Sequence, residues 1–156
     1  MTPNYDIRRL QPGDTELIKG LLATFGEAFD EVDTYCGNQP GTGYLNRLLG
    51  SDCFIAVAAL SGGEVVGGLA AYELKKFEQP RSEIYVYDLA VAEARRREGI
   101  ATALFDELKA IAAERGAYVI FVQADVGDDP AIALYTKVGT REDVVHFDIQ
   151  VPNDTS

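Results

Sequence analysis

The sequence contains few of the residues that build metal sites, disulfide frameworks and membrane spans. Its 156 residues include only two cysteines, Cys36 and Cys53, and one histidine, His146. The cysteines show neither metal-ligand spacing nor a disulfide framework, and no cluster of histidine, cysteine and carboxylate residues has metal-site spacing. No apolar run approaches the length of a membrane span, and the N-terminus lacks the apolar region of a signal peptide. We therefore expect a protein without a metal or a membrane partner, located in the cytoplasm.

Basic residues are also scarce. The chain has 14 lysines and arginines against 25 aspartates and glutamates, a formal net charge of −11. This balance argues against a nucleic-acid partner, since phosphate binding requires a basic face. It favours a small cationic ligand, which a negative field concentrates, although acidity also simply raises solubility. The length and the 47% content of hydrophobic residues predict one soluble globular domain over residues 1–156.

The pattern of apolar and turn residues predicts the element order β-α-α-β-β-β-α-β-α-β. This order predicts an α/β fold of the α+β mixed-sheet type, with helices on both faces. The stretch 26–44 is predicted to be an irregular connection, and the glycines at 67 and 68 indicate a bulge or a close backbone approach. The predicted strands are 5–10, 53–60, 64–74, 84–91, 117–124 and 144–151. Two predicted helices are recognised by apolar stripes, over 17–25 and 100–111, and two shorter helices are predicted over 44–49 and 131–137. His146 lies on the last predicted strand, where a structural role is favoured.

The segment 83–112 organises the rest of the chain. A strand ending in Asp88-Leu89-Ala90-Val91 passes through Arg95-Arg96-Arg97-Glu98-Gly99 into the helix that begins near Ile100. The first turn of a helix has N–H groups without internal partners, and the helix dipole adds positive charge there. A pyrophosphate suits this junction. A solvated basic turn would show the same short pattern.

Two motifs resemble those of the GNAT (Gcn5-related N-acetyltransferase) superfamily. The spacing Arg96-x-x-Gly99-x-Ala101 resembles its acetyl-CoA loop. The second motif is Asp128-x-x-Ala131-x-x-Leu134-Tyr135-x-Lys137-x-Gly139, in which Asp128 stands where the family has asparagine. Residues 5–149, and most closely those after Phe77, resemble the aminoglycoside 3-N-acetyltransferases of the gentamicin type.

This resemblance implies the GNAT fold and a reaction. Acetyl-CoA would acetylate the 3-amino group of the 2-deoxystreptamine ring in a ternary complex, and the cationic antibiotic would lose affinity for ribosomal RNA. A homodimer is also implied. The residues expected to bind acetyl-CoA are Leu89, Ala90, Val91, Arg96, Arg97, Glu98, Gly99, Ile100, Ala101, Thr102, Asp128, Ala131 and Tyr135.

Two residues are expected to carry the chemistry. Asp88 would either accept the proton of the attacking ammonium or anchor the cationic sugar. Tyr135 matches the family's tyrosine that protonates the CoA sulfur, although a core aromatic residue would fit the same helix. The carboxylates expected to bind substrate are Glu27, Asp30, Glu31, Glu83, Asp88, Asp125 and Asp129, and any one of them also fits a solvated surface residue.

Two other functions stay open at this point. A GNAT enzyme acting on another amine, such as a polyamine or a peptide N-terminus, fits the looser resemblance before Phe54. A non-catalytic acetyl-CoA-binding module would bind the cosubstrate without turnover, and the presence of Asp88 and Tyr135 argues against it.

Overall fold

The computed structural model describes residues 4–153 and contains five strands and five α-helices in that range. A short 3-10 helix, Glu93–Arg95, precedes α4. In chain order the elements are β1 Asp6–Arg9, α1 Thr15–Ala28, α2 Val32–Cys36, α3 Thr42–Leu49, β2 Phe54–Ser61, β3 Glu64–Lys75, β4 Ser82–Val91, α4 Ile100–Arg115, β5 Ala117–Val122 and α5 Asp129–Val138.

The strands form one sheet in the order β1-β2-β3-β4-β5. The first four strands are antiparallel neighbours, and β5 lies parallel to β4. The turn between β2 and β3 uses two left-handed glycines, Gly62 and Gly63, which matches the twist of a hairpin. The prediction of a mixed sheet is therefore confirmed.

Both faces of the sheet are covered by helices. On one face, α1 packs Ile18, Leu21 and Phe25 against small residues of β2 and β4. On the other face, α4 contacts β2, β3 and β4. The four residues of its predicted stripe, Ile100, Leu104, Leu108 and Ile111, are all at most 4% exposed. Successive strand residues point to opposite faces, so neighbouring residues in β2 serve both layers.

The glycine pair of β3 lies where helix and sheet approach most closely. A Cβ atom built on Gly68 would lie 2.4 Å from Leu21 Cδ1 and 2.7 Å from the carbonyl oxygen of Val57. The register between β2 and β3 shifts beside Gly67, at Ala59 and Leu60. The sequence prediction of a bulge or a close backbone approach is confirmed, and the structure contains both.

The described chain separates into two compact units, the first ending at Gln123 and the second beginning at Ala124. The first unit contains the sheet and α1 to α4, and the second contains α5. The expectation of one domain over residues 1–156 stays a prediction. Among residues 4–153, no helix is long and apolar enough to cross a membrane.

The element prediction is wrong in two places. Residues 144–151 form no strand, and apolar residues such as Phe147 and Ile149 are 80% and 88% exposed. Alternation of apolar and polar residues gives a strand an apolar face. A strand also requires a neighbouring strand for its N–H and C=O groups, and in the described chain no strand pairs with this segment. The connection 26–44 contains the unpredicted helix α2, whose five residues are too few to show an apolar stripe.

Candidate active site

The centre of the sheet opens at the end of β4. The pairing of β4 with β5 ends at Val86 and Val122, whereas β4 itself continues to Val91. On the other side, Ala70 of β3 pairs with Asp88 and Ala71 pairs with Val86, so Tyr87 is an extra residue in β4. Such a bulge changes the direction of side chains and the twist of the strand. In the described chain, the stretch from Tyr87 to Val91 therefore has no strand partner on its β5 side.

The half-buried carboxylate of Asp88 lies at this opening. The hydroxyl of Tyr35 donates a hydrogen bond to Asp88 Oδ1 at 3.0 Å. Burial raises the pKa of Asp88 above its ordinary value; the hydrogen bond from Tyr35 opposes this rise, and the negative charge of Glu31 adds to it. A carboxylate with a raised pKa and a well-placed hydroxyl partner is suited to accept a proton or to bind a cation.

The position of Tyr35 depends on the connection between α1 and α3. Tyr35 lies in α2, and its ring packs against Phe25 at 6.0 Å and Phe29 at 5.7 Å between ring centroids. Phe25 and Phe29 stack on each other at 5.7 Å, and Phe25 is 2% exposed. These aromatic contacts fix a short helix to the core. Sequence reasoning missed Tyr35 because no local pattern relates it to a residue 53 positions away.

A row of aromatic side chains crosses the sheet beside Asp88. We call Phe54, Tyr72, Tyr87, Tyr85 and Phe121 the aromatic row; their successive ring centroids lie 5.4, 6.1, 5.7 and 4.7 Å apart. Tyr87 is 63% exposed and Tyr72 is 36% exposed, whereas Phe54 is buried. Burial and the charge of Asp88 contribute to raising the pKa of both Tyr72 and Tyr85. The exposed rings offer π faces next to a carboxylate, a combination that binds organic cations.

The loop before α4 contains the predicted anion site. Gly99 stands at the N-cap with φ of +81°, and Arg97 also has a positive φ of 68°. No side chain of the described residues caps α4, so its first-turn N–H groups are open to a ligand. Among the described residues other than its two chain neighbours, a Cβ atom on Gly99 would meet Tyr5 Oη alone within 4 Å, at 3.8 Å.

Two of the three arginines of this loop, Arg95 and Arg96, form contacts with the protein itself. Arg95 forms an ion pair with Glu98 at 2.8 Å and donates to the carbonyl oxygen of Asn4. Arg96 Nε donates to the carbonyl oxygen of Val91 at 3.3 Å. The Arg95 side chain is therefore occupied by contacts within the protein. The predicted anion site depends on main-chain N–H groups more than on this side chain.

The carboxylates expected to bind substrate fall into separate places. Glu31 lies at the N-cap of α2, near enough to Asp88 for its charge to raise the pKa of that residue. Glu27 lies in a pocket that Arg96 also lines, and Asp30 is exposed with a positive φ of 54°. Glu83 lies at the opposite end of β4 from Asp88, where it accepts a hydrogen bond from Tyr118 and faces Lys76 at 3.4 Å.

The second unit contains the other predicted motif. Asp128 caps α5 by accepting a hydrogen bond from the Ala131 N–H at 3.4 Å, and Pro130 occupies the first turn. The pKa of Tyr135 is raised by burial and, to a smaller extent, by the charge of Asp128. Asp125 does not directly follow a strand, because β5 stops at Val122 and not at residue 124 as predicted.

Asp129, expected to bind substrate, and His146, expected to be structural, both lie in exposed positions. Asp129 is an exposed residue in the first turn of α5. His146 pairs with Asp148 at 2.8 Å in the extended segment that forms no strand. Within residues 4–153, no group of three or more histidine, cysteine or carboxylate residues is placed to hold a metal ion.

Comparison with known proteins connects this site to one enzyme family. The sequence model described as the acetyltransferase (GNAT) family matches residues 18–140. A search of curated proteins finds no match. Among solved structures, an aminoglycoside acetyltransferase from an uncultured soil metagenomic sample is 63% identical, with a TM-score of 0.94 over 97% of this chain and 100% of that chain.

Two further structures are more distant. Another aminoglycoside acetyltransferase from an uncultured soil metagenomic sample, in complex with sisomicin, is 30% identical, with a TM-score of 0.88 over 96% of this chain and 97% of that chain. A ribosomal-protein-alanine N-acetyltransferase from Brucella melitensis biovar Abortus 2308 is 25% identical, with a TM-score of 0.72 over 95% of this chain and 99% of that chain.

Proposed function

The chain belongs to the acetyltransferase (GNAT) family, and on that premise we propose that it acetylates the 3-amino group of 2-deoxystreptamine aminoglycosides of the gentamicin type. The observation that carries the substrate class is the 63% identity, over 97% of the chain, with an aminoglycoside acetyltransferase. The net charge of −11 supports the same class, because a negative field concentrates polycations. The proposal extends to a cytoplasmic homodimer that confers resistance to the antibiotic.

The residues of the first unit fit acetyl-CoA, the acyl donor of the family, whose thioester supplies an activated acetyl group. The first-turn N–H groups of α4 and the unobstructed Gly99 would hold the pyrophosphate. The edge of β4 from Leu89 to Val91, which has no β5 partner in the described chain, would pair with the pantetheine amides. In this proposal Arg96, Arg97, Glu98, Ile100, Ala101 and Thr102 would surround the pyrophosphate. The acetyl-CoA contacts proposed for Asp128, Ala131 and Tyr135, which lie in the second unit, rest on the resemblance of their motif.

The acceptor amine must lose a proton before it can attack. Asp88 would accept that proton, directly or through water, or hold the ammonium beside the aromatic row. The pKa of its carboxyl, raised by burial, makes it a stronger base than an ordinary aspartate. Tyr135 would supply the proton that the departing thiolate requires, since a phenol and a thiol have comparable proton affinities.

The 25% identity with a ribosomal-protein-alanine N-acetyltransferase supports a second candidate function, acetylation of a peptide N-terminus. Both substrates are amines, and Asp88 would have the same task with either. The two functions differ in the number of positive charges on the acceptor.

The test is thiol release from acetyl-CoA with gentamicin, spermidine and a cationic peptide in parallel. We expect rapid turnover with gentamicin and little with the other two amines. Turnover only with the peptide or with spermidine would retain the family and change the substrate. Binding of acetyl-CoA without turnover of any amine would indicate a non-catalytic binding module.

A further inference from the structure

The contact between Tyr35 and Asp88 joins two elements that are far apart in the sequence. The Tyr35 hydroxyl in α2 donates to Asp88 Oδ1 in β4 at 3.0 Å, across 53 residues. The contact is partly buried, so water competes with it less than at the surface. A hydrogen bond to an ionised carboxylate is stronger than one between neutral groups.

Tyr35 is fixed independently of this contact. Its ring meets Phe25 edge-on, with an interplanar angle of 67°, and Phe29 at an angle of 56°. Its backbone N–H donates to the carbonyl oxygen of Glu31, and its own carbonyl accepts from the Gln39 side chain. Because the ring is held by the core, the hydroxyl has little freedom to leave Asp88.

The groups that act electrically on Asp88 come from three elements. Tyr35 and Glu31 lie in or next to α2, Tyr72 lies in β3, and Tyr85 lies in β4 with Asp88. Glu31 is a carboxylate and disfavours a second negative charge. Tyr72 and Tyr85 have pKa values raised above the ordinary tyrosine value and are therefore neutral at physiological pH. Tyr35 is the member of this set that stabilises the ionised carboxylate through a direct hydrogen bond.

We propose that Tyr35 is a positioning residue of the acetyl transfer: it orients the Asp88 carboxylate through Oδ1, favours its ionised form, and leaves Oδ2 for the acceptor amine. This inference rests on the proposed function of Asp88 in an N-acetyltransferase. It assigns to the connection between α1 and α3 a part in the chemistry.

The test compares Tyr35→Phe with the unmodified protein. Phenylalanine keeps the ring contacts with Phe25 and Phe29 and removes the hydroxyl alone. We expect kcat/KM at neutral pH to fall on the order of 10- to 100-fold, the usual effect of losing a hydrogen bond to a charged group. The acid limb of the pH profile should move to higher pH, since the hydrogen bond lowers the pKa of Asp88 and its loss raises it.

A matched control is available at Glu83, which lies in β4 like Asp88. The hydroxyl of Tyr118 donates to Glu83 Oε2 at 3.0 Å, so Tyr118→Phe also removes a tyrosine–carboxylate hydrogen bond. It should leave the pH profile and kcat/KM unchanged. Thermal unfolding of both variants shows whether either substitution has damaged the fold.

A double substitution tests whether Tyr35 acts through Asp88. In an Asp88→Asn background, Tyr35→Phe should cause little further loss of kcat/KM, because the two residues act as one unit. Independent, additive losses would overturn the positioning role. So would a Tyr35→Phe protein that keeps its stability together with the parent's pH profile and kcat/KM.

Carboxyl NMR titration of Asp88 separates failure of this inference from failure of the proposed function. Tyr35→Phe should raise the pKa of Asp88, and Tyr118→Phe should not, whichever amine the enzyme accepts. An unshifted Asp88 titration in Tyr35→Phe overturns the inference even if gentamicin is turned over. A shifted titration with no turnover of gentamicin would count against the substrate and support the contact.

Discussion

A half-buried carboxylate within a strand loses hydration, and this loss raises its pKa. Asp88 is in that position, with Glu31 adding repulsion and Tyr35 offsetting part of both effects. Because its folded-state pKa lies above the unfolded value, ionisation of Asp88 destabilises the fold as pH rises through the folded pKa. Above that pKa the full cost of the buried charge is present, which is typical of a residue that is kept for function.

Asp88→Asn therefore should separate activity from stability. We expect kcat/KM with gentamicin to fall about 10²- to 10⁴-fold, the usual contribution of general acid–base catalysis. The melting temperature at pH 7 should stay the same or rise, because asparagine carries no charge to bury. Steady-state kinetics and thermal unfolding measure the two effects.

The control for this substitution is Asp106→Asn, which makes the same change on an exposed side chain of α4. It should alter neither quantity. If Asp88→Asn retained both turnover and substrate affinity, Asp88 would be neither the base nor the anchor.

Tyr135→Phe tests the proposed acid. The raised pKa of Tyr135 keeps its phenol protonated across the physiological range, so the proton is available for the leaving thiolate. We expect kcat to fall on the order of 10²-fold with acetyl-CoA binding retained. Turnover and calorimetric binding of acetyl-CoA are the measurements, with Tyr118→Phe as the control, and full turnover across pH would contradict the assignment.

At the scale of the elements, α1 packs closely on β3 at Gly68. Gly68→Ala would place a methyl group 2.4 Å from Leu21 Cδ1 and 2.7 Å from the backbone oxygen of Val57. The backbone oxygen cannot move away as a side chain can. We expect a loss of about 1–3 kcal/mol in the free energy of unfolding, measured by chemical denaturation.

Gly43→Ala provides the comparison for this loss. Gly43 lies in α3, where the one contact of an added Cβ outside the helix backbone, within the described part of the chain, would be the flexible end of Arg47, at 3.4 Å. Alanine is the better helix former, so this substitution should stabilise the protein or leave it unchanged. Equal destabilisation by both substitutions would show that the close approach at Gly68 is not the cause.

The elements that the sequence predicts correctly are those whose signal is local. The stripe of α4 recurs every three or four residues, and all four of its members are buried. The glycine pair of β3 and the two-glycine turn before it are likewise read from neighbouring residues. Residues 144–151 differ, since their alternation is local but a strand also needs a partner that no local pattern provides.

The candidate site divides in the same way. Asp88, the loop before α4 and Tyr135 are predicted from motifs, each of which lies within a short segment. Tyr35 is missed because its contact with Asp88 is created by the fold, across 53 residues. The carboxylates expected to bind substrate are predicted from their charge. Charge does not distinguish Glu31, which raises the pKa of Asp88, from Glu83 at the far end of β4.

At the scale of the whole molecule, the net charge of −11 should act on a polycationic substrate over distances beyond contact. The Debye length falls from about 30 Å at 0.01 M salt to about 8 Å at 0.15 M. We expect the KM for gentamicin to rise several-fold over this range, because salt screens the attraction. The KM for acetyl-CoA, an anion, should not rise with it, and a gentamicin KM independent of salt would contradict a role for the overall charge.

The central claim is that this protein transfers acetyl groups to the 3-amino position of an aminoglycoside. The most direct measurement is the structure of the product formed from gentamicin and acetyl-CoA, determined by mass spectrometry and NMR. We expect one added acetyl group, located on the 3-amino nitrogen of the 2-deoxystreptamine ring. An acetyl group on a different amine, or no acetylated product, would contradict it.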